Sequence, residues 1–208
     1  MSSYLRIRWA IAPKMAPRPL ITCNRCGGIR PYQCSGKFRV NANGKRIDAW
    51  LIYRCIDCDN SWNFGILERC SRRDIEPAVL QRFESNDPAL ARRHAFDIVA
   101  LRSRTGHVEE FAEVAVDKRR LGDAPETPSA LELRLALETP TSLRLDRLLA
   151  GELGISRSRL QALEERRALS VDSDGAKALR KPVRTGTVVR IDLSSEPDRQ
   201  AIMTAAGG

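Results

Sequence analysis

Two Cys-x-x-Cys pairs, Cys23-Asn24-Arg25-Cys26 and Cys55-Ile56-Asp57-Cys58, constrain this chain more than any other feature. Such a turn points both thiolates at one ion while backbone amides face the sulfurs, and two turns complete a tetrahedral site. The pairs stand 28 residues apart, beyond the usual ~15 to 20, but the intervening segment accounts for the excess. Lys37 to Ala42 and Lys45 to Arg54 predict two strands joined at Asn43-Gly44, a dipeptide that tolerates the positive φ of a tight hairpin turn. An antiparallel hairpin brings its ends together and carries the second pair beside the first, in the arrangement of a zinc ribbon. Trp50, Ile52 and Trp62 are the apolar residues expected to complete its core.

A redox pair of the thioredoxin type calls for one Cys-x-x-Cys inside a βαβ pattern, which this chain lacks. Cys23, Cys26, Cys55 and Cys58 are therefore the expected metal ligands and zinc the expected cofactor, with redox thiols and unmetallated core cysteines as the alternatives. Four protein ligands leave no open position for an activated water, so the metal's role would be structural. Cys34 and Cys70 have no partner at ligand spacing; they read as small buried hydrophobes, and either stands as an alternative ligand.

The chain has 208 residues, one large or two small domains. Its net charge is +9, and 29 of its 35 cations are arginine, the better residue for bidentate phosphate contacts. The opening Met1 to Arg8 is broken by arginines where a signal peptide would be apolar. No apolar run approaches the ~20 residues of a membrane span. The expected location is cytoplasmic, where thiols stay reduced.

Gly122-Asp123-Ala124-Pro125-Glu126-Thr127-Pro128 has linker composition. It predicts residues 1–120 as a zinc-ribbon-like domain with helices, 121–130 as the linker, 131–193 as a second module and 194–208 as a disordered tail. Within the first, a short helix is predicted over Ile75 to Phe83 and another from Asp87-Pro88 through Leu101, with Asp87 as cap. His94 and His107 sit in no metal or catalytic motif. Leu131, Leu133, Leu135 and Leu137 alternate with polar or small residues and predict a strand.

The segment 141–193 carries most of the functional signal. Leu145, Leu148 and Leu149 mark a helix beginning near Thr141 or Ser142 and ending by Gly154. A second helix starts at Ser156 and turns Leu160 and Leu163 inward. Short strands follow at Leu169 to Val171 and Val188 to Ile191, with a turn at Asp174-Gly175. The second helix opens Ser156-Arg157-Ser158-Arg159, although a helix N-terminus favours acidic residues. Free amides, hydroxyls and guanidiniums together suit a phosphate; the alternative is that Arg157 and Arg159 are solvated or pair with Glu164 and Glu165.

Two resemblances follow from these residues. Phe38-Arg39-Val40-Asn41-Ala42-Asn43-Gly44, Asp48-Ala49-Trp50-Leu51-Ile52-Tyr53, Trp62-Asn63 and Glu68-Arg69 resemble the bacterial domain-of-unknown-function family 1062, from about Pro19 past the linker. That family implies no activity. Arg144-Leu145-Asp146-Arg147-Leu148-Leu149-Ala150, Gly154-Ile155-Ser156-Arg157-Ser158, Leu169-Ser170-Val171-Asp172 and Lys181 to Ile191 resemble the small RNA-binding domain named after ribosomal protein S-four. By position, that resemblance implies RNA contacts at Arg144, Arg147, Ser156, Arg157, Arg159 and Lys181. The chain departs from it at Ala168, where glycine is usual, and at Asp172-Ser173-Asp174-Gly175, which adds negative charge to the hairpin.

The overall expectation is an α+β protein, a zinc-ribbon-like β domain with packing helices followed by an S-four-like ααβ module. It would act without catalysis, binding structured ribosomal or transfer RNA, with the ribosome as a partner and no membrane contact. An RNA-modifying enzyme and a zinc-ribbon protein-interaction factor are the alternatives. The chain has no phosphate-binding Gly-Lys-Thr loop, no His-Glu-x-x-His, no Gly-x-Ser-x-Gly and no dinucleotide fingerprint. It also lacks the His-x-Glu of zinc deaminases.

Overall fold

The computed structural model describes residues 4–123, 126–172 and 177–207. In chain order the strands are β1 (Tyr4–Pro13), β2 (Arg18–Cys23), β3 (Gly28–Asn43), β4 (Arg46–Cys55), β5 (Ser61–Ser71), β6 (Val108–Glu109), β7 (Val114–Arg120), β8 (Ala130–Leu137), β9 (Leu169–Asp172) and β10 (Val188–Asp192). The helices are α1 (Pro77–Glu84), α2 (Pro88–Ala95), α3 (Ile98–Thr105), α4 (Leu145–Leu153), α5 (Arg157–Glu165) and α6 (Arg199–Ala206). The protein is α+β, with two five-stranded sheets among the described residues.

These elements form two compact units, Met15–Phe111 and a second made of Met1–Lys14 with Ala112–Gly208. The first is inserted into the second between β1 and β7. The strands flanking the insertion are paired up to Pro13↔Val114, and the Lys14 amide donates to the Glu113 carbonyl at 3.0 Å, so the chain leaves and re-enters at neighbouring points. This replaces the expected break at 121–130. The Pro- and Gly-containing segment there joins β7 to β8 within one unit, and its Ala124 and Pro125 lie outside the described residues. Linker composition marks a connection; it does not say whether the strands it joins share a sheet.

In the outer unit the sheet order is β7-β1-β8-β10-β9, with β1 and β8 parallel and the remaining pairs antiparallel. Along β1, Leu5, Ile7, Trp9 and Ile11 are buried while Arg6 and Arg8 are exposed, so one face is core and the other open. The core face packs against Leu145, Leu148 and Leu149 of α4, Leu160 and Leu163 of α5, and Ile202, Met203 and Ala206 of α6. The segment expected to be disordered therefore contains a helix with a buried apolar stripe. Trp9 Nε1 donates to the Ala206 carbonyl at 2.9 Å, tying the first strand to the last helix. The predicted strand over the alternating leucines is β8, and the predicted helix pair is α4 and α5. Gly154, at φ 68, ends α4 as a left-handed cap, and the Ser156 hydroxyl caps α5 by accepting from the Arg159 amide at 3.2 Å. The expected turn at Asp174-Gly175 lies outside the described residues.

In the inserted unit the order is β5-β4-β3-β2-β6, all antiparallel. The β3–β4 hairpin closes at Asn43↔Arg46 around Gly44-Lys45, one residue later than the predicted turn, with Gly44 at φ 61. Trp50 and Ile52 alternate with Ala49, Leu51 and Tyr53, and only the latter set is buried, so the two expected core residues fall on the other face. The core is Tyr32, Phe38, Leu51, Tyr53, Phe64, Phe83, Leu90, Phe96 and Leu101, with Trp62 packed against it. The long helix expected through Leu101 is split: Asp87 caps α2 at the Leu90 amide (2.8 Å) and Asp97 caps α3 at the Ala100 amide (2.9 Å). No helix among the described residues is long and apolar enough to cross a membrane.

Candidate metal centre and basic helix pair

Cys23 ends β2 and Cys55 ends β4, and each opens the same kind of turn. The Gly27 amide donates to the Cys23 carbonyl at 2.9 Å, and the Asp59 amide donates to the Cys55 carbonyl at 3.0 Å. The residue after each second cysteine is left-handed, Gly27 at φ 72 and Asp59 at φ 61. Glycine adopts that conformation freely, and aspartate is among the few other residues that visit it readily. The Tyr32↔Cys55 and Cys23↔Gly28 pairings hold the two turns at one end of the sheet.

The four expected ligands come together, with their sulfurs all within 4.8 Å of one another. Cys23 and Cys58 Sγ stand 3.5 Å apart, and Cys26 and Cys55 Sγ 3.9 Å. Four sulfurs at ~2.3 Å from a central ion lie ~3.8 Å apart along each tetrahedral edge, so the set fits one ion. Packed thiols resist joint ionisation without a cation. The neighbouring Tyr32 hydroxyl leads the interactions that lower the Cys23 thiol to about 6, whereas Cys26 is pushed up to about 12, first by Cys58 and then by burial.

Asn60 Nδ2 reaches the Tyr32 hydroxyl at 3.3 Å and the Cys23 sulfur at 3.8 Å, and Arg25 Nη1 donates to the Cys58 carbonyl at 3.1 Å. These three residues escape a search for ligand spacing because none is a ligand. The Gly27/Asp59 equivalence was the available signal for the paired turns. Cys34 and Cys70 stand outside the cluster. Cys34 Sγ accepts from the Gly36 amide at 3.4 Å, and burial pushes its thiol up.

The basic candidates divide into two groups. Asp146, in the first turn of α4, is 1% exposed and receives two arginines. Arg144 bonds it through Nε at 3.1 Å and Nη2 at 2.6 Å, and Arg157 Nε lies 3.3 Å from the same Oδ2. The arginine side chains remain 42% and 58% exposed. Arg147 is exposed on α4, without an ion pair among the described residues. Arg159 is held inward: it bonds Glu196 and Asp198, and Glu196 also takes Arg166. These partners stand in place of Glu164 and Glu165, which the sequence offered as the alternative to phosphate contact. The Ser156 hydroxyl is occupied as the cap of α5 and stands 3.0 Å from Ser158 Oγ.

Lys181 is exposed at the mouth of a cleft of about 360 Å³ lined also by Leu145, Val183, Arg184 and Thr185. Its carbonyl accepts from the Leu145 amide at 3.0 Å, which fixes this loop to the start of α4. Asp146 and Glu196 are the organisers that motif matching missed, because carboxylates do not count as phosphate ligands.

A family model described as "Protein of unknown function (DUF1062)" matches residues 40–175, more than half of the chain. The chain belongs to the DUF1062 family. Comparison with curated proteins and with solved structures finds no match. The DUF1062 match starts at Val40, later than the expected Pro19, so it contains Cys55 and Cys58 but not Cys23 and Cys26. It also contains Asp146 with both of its arginines.

Proposed function

We propose that this protein binds structured RNA without catalysis, through the α4–α5 helix pair, and uses a structural zinc ion to hold the inserted unit together. The observation that carries the RNA reading is the shared carboxylate. One buried Asp146 orients two half-exposed guanidiniums, one from the residue that precedes α4 and one from the first turn of α5, and Arg147 adds a third cation, so the cluster is preorganised and still net positive. Guanidiniums fixed in this way lose little freedom when they take a phosphate. The order α4–α5–β9–β10 and the Lys181 loop beside α4 support reading the segment as an S-four-like module. Ribosomal or transfer RNA, and the ribosome itself, are the partners consistent with such a module, and a cytoplasmic location follows from them.

The zinc reading rests on four cysteine sulfurs within 4.8 Å of one another, a soft donor set suited to zinc. Such a set leaves no site for substrate, and when bound the ion would supply only a cross-link between the two turns. The RNA test is fluorescence anisotropy of a labelled RNA hairpin across a salt series. Contacts from Arg144, Arg147, Arg157 and Lys181 predict a slope of log K against log salt of about −3 to −4. Arg157→Glu should weaken binding at least tenfold. No binding at low salt, or none of this loss, refutes the reading.

A further inference from the structure

The open face of the outer unit's sheet carries arginines in an arrangement that sheet stability disfavours. Arg8 lies directly opposite Arg119 of β7 on one side and directly opposite Arg134 of β8 on the other. Like charges directly opposite on neighbouring strands repel, and at ~4.8 Å between strands this row sets three arginine backbone positions across ~10 Å. Arg8 and Arg119 are exposed and make no ion pair among the described residues. Beside the row, Glu132 is buried under arginines from three strands. It bonds Arg134 through Nε and Nη2, both at 3.0 Å, and Arg190 at 2.9 Å, with Arg6 at 3.9 Å. Four adjacent strands thus contribute five arginines to this face, three of them set on one buried carboxylate and two left unpaired among the described residues. Among the described strand residues, the other acids on this face are Asp117, opposite Ala10, and Asp172 and Asp192 on β9 and β10.

We infer that this face binds the phosphate backbone of an RNA strand, a second surface on the opposite layer of the unit from α4 and α5. An anion laid along the row converts repulsion into attraction. All five cations are arginine, whose planar fork suits phosphate and stacks on bases. A membrane surface fits poorly, because among the described residues the exposed large hydrophobics, Ile29, Ile56 and Val99, all belong to the inserted unit, and this face offers none to enter lipid. The inference does not depend on the helix-pair reading.

The test uses the full chain, a labelled single-stranded RNA of about 20 nucleotides, enough to exceed one ~4 to 16 nucleotide site, and the variant Arg8→Glu. That change turns the row into alternating charges, so the melting midpoint should stay level or rise. RNA affinity should fall at least tenfold, and the salt slope should become shallower by about 1 to 2. Unchanged affinity overturns the inference, whatever Arg157→Glu does. Weaker binding by Arg8→Glu with none lost by Arg157→Glu sustains this surface and removes the helix-pair reading instead. A fall in both affinity and melting midpoint, not restored by Arg8→Lys, makes Arg8 structural and overturns it. So does loss of binding to phosphatidylserine vesicles with RNA binding intact.

Discussion

Arg159 separates two roles that its position in sequence leaves equal, and replacing it with methionine decides between them. The side chain is 31% exposed, and its main partner, Glu196, is 6% exposed. Removing the partner of a fully buried carboxylate costs ~3–5 kcal/mol, while an exposed pair is worth ~0–1 kcal/mol. Glu196 keeps Arg166 as a neighbour, and methionine retains the packing of the arginine stem, so Arg159→Met should cost about 2 kcal/mol. For a chain of this size that lowers the melting midpoint by about 4–8 °C.

The pH dependence gives a second readout. Arg159 holds Glu196 below the usual carboxylate range, so the pair's stabilisation is present above the unfolded value of ~4.3 and is lost as pH falls through the depressed folded one. The difference between wild type and Arg159→Met in urea denaturation should therefore shrink toward acid pH. RNA affinity should fall much less than for Arg157→Glu. An undiminished midpoint together with a tenfold or greater loss of RNA affinity would refute the anchoring role and return Arg159 to the RNA surface.

Three further outcomes are expected. The purified protein should contain one zinc per chain by elemental analysis, and chelation or Cys55→Ser should unfold Met15–Phe111, because structural zinc contributes ~10–16 kcal/mol against a domain stability of ~5–15; metal-free protein with full protection in hydrogen exchange would contradict this. Ile202→Ala, in the helix that replaces the expected disordered tail, should cost ~2–5 kcal/mol by denaturant titration, where a disordered tail would show no change. His94 lies against Phe38 and Phe83, and burial, followed by the Arg93 charge, lowers its pKa. The native state then binds fewer protons, so stability should decline as pH falls below ~6.5, and His94→Gln should flatten that decline; an unaltered profile would show that His94 is not its source.

Local chemistry was legible wherever a few neighbouring residues decide the outcome. Asp87 before Pro88 and Ser156 before α5 cap their helices as expected, because capping needs one side chain and an amide three residues on. The boundary of the hairpin moved by one residue, since Gly44 alone supplies the positive φ near the turn's start and the register of β3 on β4 selects which pair closes. Trp50 and Ile52 were misplaced because period two identifies two faces without saying which one the helices cover.

By itself, the sequence determined the donor set and the arginine supply. Two Cys-x-x-Cys turns on the ends of a hairpin meet whatever the rest of the chain does, since antiparallel pairing joins those ends. Tertiary structure decided what each remaining charge is for. β1 finds β8 across more than a hundred residues, a pairing with no local signature, and only that register sets Arg8 between Arg119 and Arg134. In the same way, α6 must return to Trp9 before Glu196 and Asp198 can withdraw Arg159 from the surface, while Asp146 leaves Arg144 and Arg157 facing out. Charge is written residue by residue, but its partner is chosen by packing.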